Sequence, residues 1–259
     1  MTAPSTTALT VAYDGSAFHG FARQPGLETV QGRLESALSV ALRRDVAIVG
    51  AGRTDAGVHA LGQVVSFAAA PDDPGPSALM RSLNALAGPD CVVSEVRSAQ
   101  RGFSARYDAV CREYRYVIVP GAVPPLAVAH RSWWVKGTLD LHAMREAASH
   151  VAGDHDFTSF CVTGSTVGKR TVRNVELIEI GPETALGEHC IVVRVVGRSF
   201  LHSMVRIIVG SLVEVGHGKR DPSWMEEALS ARSRDAAGQT APPEGLTLWH
   251  VGYPDEMWL

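Results

Sequence analysis

One carboxylate in this sequence is presented in a way that suits chemistry. The segment Gly50-Ala51-Gly52-Arg53-Thr54-Asp55-Ala56-Gly57 follows a strand-like run, and a glycine-rich turn after a strand first suggests dinucleotide binding. That fingerprint fails here. An aspartate stands where a third glycine would let a helix begin against pyrophosphate, and its charge repels phosphate. Residues 58 to 67 then alternate as a strand does, so no helix N-terminus is on offer. What is left is a loop carrying a carboxylate two residues after an arginine. An ionised, well-aimed carboxylate is a covalent nucleophile. An aspartate in such a loop also stabilises its own turn, and the loop alone does not separate the two roles.

Two further residues bear on that choice. Phe200 to Val215 is apolar nearly all round, which marks a buried helix, and Arg206 stands in its middle. A buried guanidinium keeps its proton and is costly unless paired. Asp55 and Glu214, two turns further on, are the alternative partners; pairing with Asp55 would keep the acid ionised. Tyr114 shares one face of a strand, residues 109 to 119, with Arg112, Tyr116 and Ile118. A flat ring beside a cation suits stacking on a base, and it equally suits a core. His150, Asp154, His155 and Asp156 cluster without HExxH or comparable spacing, and read as a helix end and loop. Cys91, Cys111, Cys161 and Cys190 form no CxxC pair and read as reduced, mostly buried thiols. No metal ligand set and no organic cofactor motif emerges.

The elements that would hold these residues follow from periodicity. LTVAYDG reads as a strand. Thr29 to Arg44 is a helix opened by a threonine cap, with Val30, Leu34, Ala37, Leu38, Ala41 and Leu42 at helical spacing. VAIV and GQVVSFAA are strands joined by the Asp55 loop, a short helix covers Leu79 to Leu86, and residues 91 to 97 form a last strand. That is a β-α-β-β-α-β outline. In the second half come the Tyr114 strand, WWV near 134, a helix over Leu139 to Val151, and strands near 172 to 180 and 189 to 196. The Arg206 helix, a helix from about Pro222, a loop over Ser230 to Glu244 and a closing strand GLTLWHVGY complete it. Two α+β halves are expected, residues 1–105 carrying the aspartate loop and residues 106–259 carrying the tyrosine strand and the arginine helix.

Bulk properties set the class. With 259 residues, 46% hydrophobic and 20% charged, the chain supports one large core or two modest ones. The first fifteen residues have no basic head and no long apolar run, and no stretch approaches about 20 uninterrupted apolar residues; a cytoplasmic location is expected. A net charge of −3 speaks weakly against a nucleic-acid partner. The cations are almost all arginine, however, the side chain that grips phosphate and stacks on bases, and they group as Arg101, Arg106, Arg112 and Arg115, then Arg170 and Arg173.

The blocks together resemble a known family. Gly52-Arg53-Thr54-Asp55-Ala56-Gly57-Val58-His59-Ala60 is similar to the signature of TruA-type tRNA pseudouridine synthases. It is accompanied in order by Tyr13-Asp14-Gly15, Phe18-His19-Gly20-Phe21, Thr29-Val30-Gln31, Phe103-Ser104-Ala105-Arg106, Arg112-Glu113-Tyr114-Arg115-Tyr116, Asp156 to Phe160, Arg173-Asn174, Phe200 to Gly210 and Pro243 to Leu246. The resemblance runs from about residue 8 to residue 253. It implies the pseudouridine synthase fold, with two RRM-like, ferredoxin-like halves forming a central mixed, mostly antiparallel sheet flanked by helices. It implies Asp55 as the catalytic aspartate, Tyr114 against the target base, Arg206 paired with the aspartate, and Arg53 filling the space of a flipped-out uridine. Thr54, His59, Arg112, Phe160 and Arg170 are further substrate-binding candidates, and Arg23, Arg101, Arg112 and Arg170 are candidates for phosphate. The implied substrate is tRNA at positions 38 to 40 of the anticodon stem-loop, bound by a homodimer without cofactor. Phe21 stands where the family often has tryptophan and Thr247 where it often has tyrosine, both packing changes. A uracil methyltransferase would need a nucleotide fingerprint that is missing, a non-catalytic RNA-binding module would not need Asp55, and a metal hydrolase would need ligand spacing that is not present.

Overall fold

The computed structural model describes residues 6–165, 168 and 170–259. Up to Arg112 the elements are β1 (Thr6–Tyr13), α1 (Val30–Leu42), β2 (Val49–Gly50), β3 (His59–Ala68), α2 (Pro76–Ala87) and β4 (Cys91–Ala99). Then come β5 (Cys111–Gly121), β6 (Trp133–Lys136), α3 (Leu141–Ser149), β7 (Gly153–Asp156), β8 (Val172–Ala185), β9 (Glu188–Gly197), α4 (Met204–Gly216), α5 (Trp224–Ala231) and β10 (Leu246–Gly252). This is an α+β chain whose strands pair mostly antiparallel and are flanked by helices. The compact units do not follow two contiguous halves: the first is the chain up to Arg112 together with Leu248–Leu259, and the second is Glu113–Thr247.

In the first unit β1 is central, antiparallel to both β3 and β4, and β2 pairs with β3. The order β4-β1-β3-β2 is that of a split β-α-β-β-α-β unit. The VAIV strand expected from sequence shrinks to Val49–Gly50, although Val46 and Ile48 are still buried. The edge of β3 left beyond β2 goes to β10. Gly62 permits this, because a Cβ there would run into the Trp249 carbonyl and stand 3.0 Å from the His250 Cα. Thr29 caps α1 by accepting from the Gly32 N–H at 3.3 Å, and Val30, Leu34, Ala37 and Leu38 are buried along the face the periodicity selects.

In the second unit the order is β5-β9-β8-β7, with β6 parallel to β5. β8 and β9 form a hairpin longer than the alternation indicated, paired from Val175↔Gly197 to Ala185↔Glu188. Leu186 (φ 50) and Gly187 (φ 85) make its turn; positive φ at both central residues is the requirement of a two-residue type I′ turn. Asp140 caps α3, accepting from the His142 and Ala143 N–H groups at 2.8 and 3.1 Å. His150 ends α3, but Gly153–Asp156 form β7 where a loop was expected. The extended partner β8 captures them.

Glu113 opens this unit as a buried carboxylate between two cations. Arg115 Nε donates to Oε1 at 2.9 Å and Arg194 Nη2 to Oε2 at 3.1 Å. Burial alone raises the pKa of Glu113, but the bonds from Arg194 and Arg115 outweigh it and hold the carboxyl below its usual range. A depressed folded pKa contributes stability that is complete above the unfolded value, about 4.3, and lost as pH falls through the folded one. Urea unfolding should therefore show the gap between wild type and Glu113→Gln narrowing from about pH 6 towards about pH 3. A gap that stays constant over that range would mean the pair does not titrate with folding.

Candidate active site

Asp55 stands in the irregular stretch between β2 and β3, and that stretch is held at several points. Ala51 donates to the Val64 carbonyl at 2.8 Å. Its own carbonyl accepts Nη2 of Arg112 at 2.8 Å and Nε at 3.3 Å. Gln63, fully buried on β3, donates Nε2 to the Gly52 carbonyl at 2.9 Å and accepts the Gly52 N–H at 3.4 Å. The Thr54 hydroxyl meets the Tyr13 hydroxyl at 2.8 Å, and the Thr54 carbonyl accepts the Phe21 N–H at 3.0 Å. Val58 then closes a turn onto the Asp55 carbonyl at 3.1 Å, with Gly57 at φ 81 in its third position. A type II turn demands positive φ there.

Outer contacts set this loop in place. The Gly15 N–H donates to Nδ1 of His59 at 3.1 Å, and a Cβ on Gly15 would overlap the Val58 carbonyl. Gly20, at φ 92, brings its backbone to the Thr54 carbonyl, which a Cβ would approach to 3.1 Å. The Phe21 ring rests on Gly50, so a phenyl group suffices at the position expected to favour tryptophan. With its main chain fixed, the loop leaves Asp55 half-buried and Arg53 exposed.

Several candidate residues take roles other than those expected. Arg112 is buried and spends its guanidinium on the carbonyls of Ala51, Arg106 and Ala109, at 2.8, 2.7 and 3.3 Å. Buried among carbonyls, it is not placed to reach phosphate; it clamps the loop. Thr54 turns inward to Tyr13, and His59 is completely buried, so both shape the loop. Phe160 is also completely buried, edge-on to Phe157, and belongs to the core. Arg170 is exposed; its neighbours Thr166, Val167 and Lys169 lie outside the described residues. Arg23 and Arg101 are exposed, and Arg23 forms an ion pair with Glu35 at 3.1 Å.

In the second unit, Tyr114 is buried to 8% exposure, its ring edge-on to Phe200 at 5.2 Å. Burial lifts the phenol of Tyr116 well above its ordinary range, and its hydroxyl donates to the Pro242 carbonyl at 2.8 Å. Arg206 lies in the first turn of α4, which begins at Met204, and is not in the middle of the helix. It exchanges two bonds with Ala241: Nε donates to that carbonyl at 2.8 Å, and the Arg206 carbonyl accepts the Ala241 N–H at 3.1 Å. The residue before α4, Ser203, is left-handed at φ 57 and gives no side-chain cap. A cation in a first turn opposes the helix dipole, so helix stability does not account for Arg206. Among the described residues no three metal-ligating side chains gather, and no helix is long and apolar enough to cross a membrane.

Sequence reasoning assigned no role to Tyr13 or Gln63. A glutamine in the apolar run GQVVSF was a usable signal, since a buried amide must find partners. The Arg112 clamp gives a direct expectation: Arg112→Leu leaves buried carbonyls without donors, at about 1–3 kcal/mol each. Urea unfolding should show a loss of about 3 kcal/mol or more, with Arg112→Lys recovering less than half, because one ammonium cannot fork to three carbonyls. A loss under about 0.5 kcal/mol in the leucine variant would show that the loop stands without its clamp.

Residues 9–108 and 147–254 match the family model described as tRNA pseudouridine synthase. The chain is 43% identical over 246 residues to tRNA pseudouridine synthase A of Brevibacillus brevis, covering 94% of this chain and 97% of that one. Its counterparts from Bacillus subtilis (42%, covering 94% and 97%) and Geobacillus kaustophilus (41%, covering 95% and 93%) are similarly close.

Proposed function

Since the chain belongs to the tRNA pseudouridine synthase family and is therefore an isomerase, we propose that it converts uridine to pseudouridine in the tRNA anticodon stem-loop with Asp55 as covalent catalyst. The observation that carries this reading is the immobilised loop. Its main chain is bonded at Ala51, Gly52, Thr54, Asp55 and Val58, and it holds out one carboxylate beside an exposed arginine. Such pre-organisation is what a nucleophile needs and a surface turn does not.

The chemistry runs within the substrate. A stacked uridine must first leave the helix, at a cost of a few kcal/mol; Arg53 occupies the space it vacates. With Asp55 acting on the nucleoside, the C1′–N1 bond breaks, and the freed uracil turns in place. A C1′–C5 bond then forms, C5 gives up its proton to solvent, N1 takes one, and the carboxylate is regenerated. Composition and oxidation state are unchanged overall, so no electron or group donor enters the balance. From the resemblance, Tyr114 is assigned to the target base and Arg206 to the charge of the reacting carboxylate. Positions 38 to 40 and a homodimer that binds one tRNA across both copies complete the proposal.

Two measurements test it. With unmodified tRNA tritiated at uracil C5, the wild type should release tritium to water and Asp55→Ala none above background; release by the variant ends the assignment. Arg206→Met should leave the Ala241 carbonyl without its donor, at about 1–3 kcal/mol, and still fold. Its turnover should fall on the order of 100-fold, as when an electrostatic contact to the reacting group is removed. Wild-type turnover in a folded Arg206→Met protein would exclude Arg206 from the machinery.

A further inference from the structure

His59 opens β3 directly after the Asp55 loop, and one atom of its ring is claimed by two neighbours. Nδ1 accepts the Gly15 N–H at 3.1 Å, and Oδ1 of Asp14 lies 3.3 Å from the same nitrogen. A ring nitrogen presents either a lone pair or a proton, so it serves the amide when bare and the carboxylate when protonated. Both claimants are held on their own account. Asp14 Oδ1 accepts the Ser16 N–H at 3.0 Å and the Ser16 hydroxyl at 2.7 Å, and the Asp14 N–H donates to the Asp90 carbonyl at 2.9 Å. Gly15 is pressed so closely on the Val58 carbonyl that a Cβ would overlap it, and the Val58 N–H closes the turn on the Asp55 carbonyl at 3.1 Å. The bond at Nδ1 therefore sets the register between the Gly15 turn and the peptide that ends the Asp55 turn. The ring is completely buried, whereas the Asp14 carboxylate is a third exposed, which gives a proton a route from water to Nδ1.

We propose that His59 is a positioning residue for Asp55: its neutral ring, bare at Nδ1, keeps the loop in catalytic register, and protonation turns Nδ1 from Gly15 to Asp14 and releases that register. The proposal rests on the reading of Asp55 given above. Once Nδ1 carries a proton, the Gly15 N–H faces another N–H and loses its acceptor, and a buried amide without a partner is driven to move. The Val58 carbonyl moves with it because the two backbones touch. A small displacement is enough, since orientation is what the held loop contributes to the reaction. The titratable and charged groups on the neighbouring elements are Tyr13 and Asp14 at the end of β1, Asp55 in the loop, Asp90 ahead of β4, and Arg33 of α1, which lies over the Phe18 ring and pairs with Glu28. Burial disfavours the charged ring and Asp14 favours it; these opposed effects act on a group that ordinarily titrates at about pH 6.5.

The test is tritium release across tRNA concentrations between about pH 5.5 and about pH 8, for wild type, His59→Asn, His59→Leu and Asp14→Asn. Wild-type kcat should fall about tenfold per pH unit once the ring protonates, with the effect in kcat and not in KM. His59→Leu has no acceptor and should lose about 100-fold in kcat at every pH. Asparagine carries an acceptor oxygen where Nδ1 stands and does not titrate, so His59→Asn should return kcat at pH 8 to within about tenfold of wild type and abolish the acid decline. Asp14→Asn still caps Ser16 through its amide oxygen but offers the imidazolium no charge, and should move the decline down by about one pH unit or more. The wild-type acid decline persisting in His59→Asn overturns the proposal, as does a His59→Leu effect confined to KM. If neither His59 variant folds, 15N-histidine NMR of the wild type and Asp14→Asn decides. One ring should be bare at Nδ1 at pH 8 and titrate lower in Asp14→Asn; no ring responding to Asp14→Asn ends the idea. Release that needs Asp55, with a pH profile unmoved by His59→Asn and Asp14→Asn, removes this assignment alone. Release by Asp55→Ala, or none by the wild type, removes the reading beneath it as well.

Discussion

An irregular segment can be buried only when the amides and carbonyls it hides find partners. The stretch from Ala51 to His59 meets this requirement with side chains, and most of the first unit is arranged around that fact. Gln63 from β3 and Arg112 from β5 supply groups that a regular ladder would otherwise have supplied, and Tyr13 from β1 holds the Thr54 hydroxyl. Each of these polar side chains is itself buried and acceptable there only because the loop answers it. Loop and supports are mutually obligatory, so the carboxylate is held without strain being needed to hold it.

The second unit solves a related problem at the entrance to α4. Its helix is buried on nearly every side, so any chain that packs along it must have its own backbone groups partnered. The segment leading to Ala241 runs beside α4, with Gly210 against the Gln239 carbonyl and the Ser211 hydroxyl accepting the Gly238 N–H at 2.9 Å. The paired bonds between Arg206 and Ala241 finish this contact. A stretch that reads as featureless from Ser230 to Glu244 is therefore a strap along a buried helix, and its small residues are there to let backbones approach.

Periodicity in the sequence located α1, α2, α3, β3 and β5, because each buries one face and the apolar residues recur accordingly. It missed what depends on partners distant in sequence. β2 is short because β10 takes the rest of the β3 edge, and nothing in VAIV announces that. β7 exists because β8 extends past it. Asp55 stands out as a candidate because a charged residue breaks a glycine pattern, and Arg206 because a cation interrupts an apolar one. Arg112 was visible as a residue and illegible as a role: an arginine beside a tyrosine on a strand looks the same whether its fork faces solvent or three carbonyls. The burial of Thr54, His59 and Phe160 was illegible for a related reason, since a motif records which residues recur together and not which way they point.

One consequence follows from the composition of the first unit. Its β3 edge is completed by β10, and the turn at Ala105 is locked by Tyr253, yet the whole of Glu113–Thr247 is synthesised between these partners and the rest. On the ribosome this unit must wait, with its last strand unfilled, until the opposite end of the polypeptide emerges. Such a long closure lowers the rate at which the unit forms, and it leaves the β3 edge open to other pairing until β10 arrives.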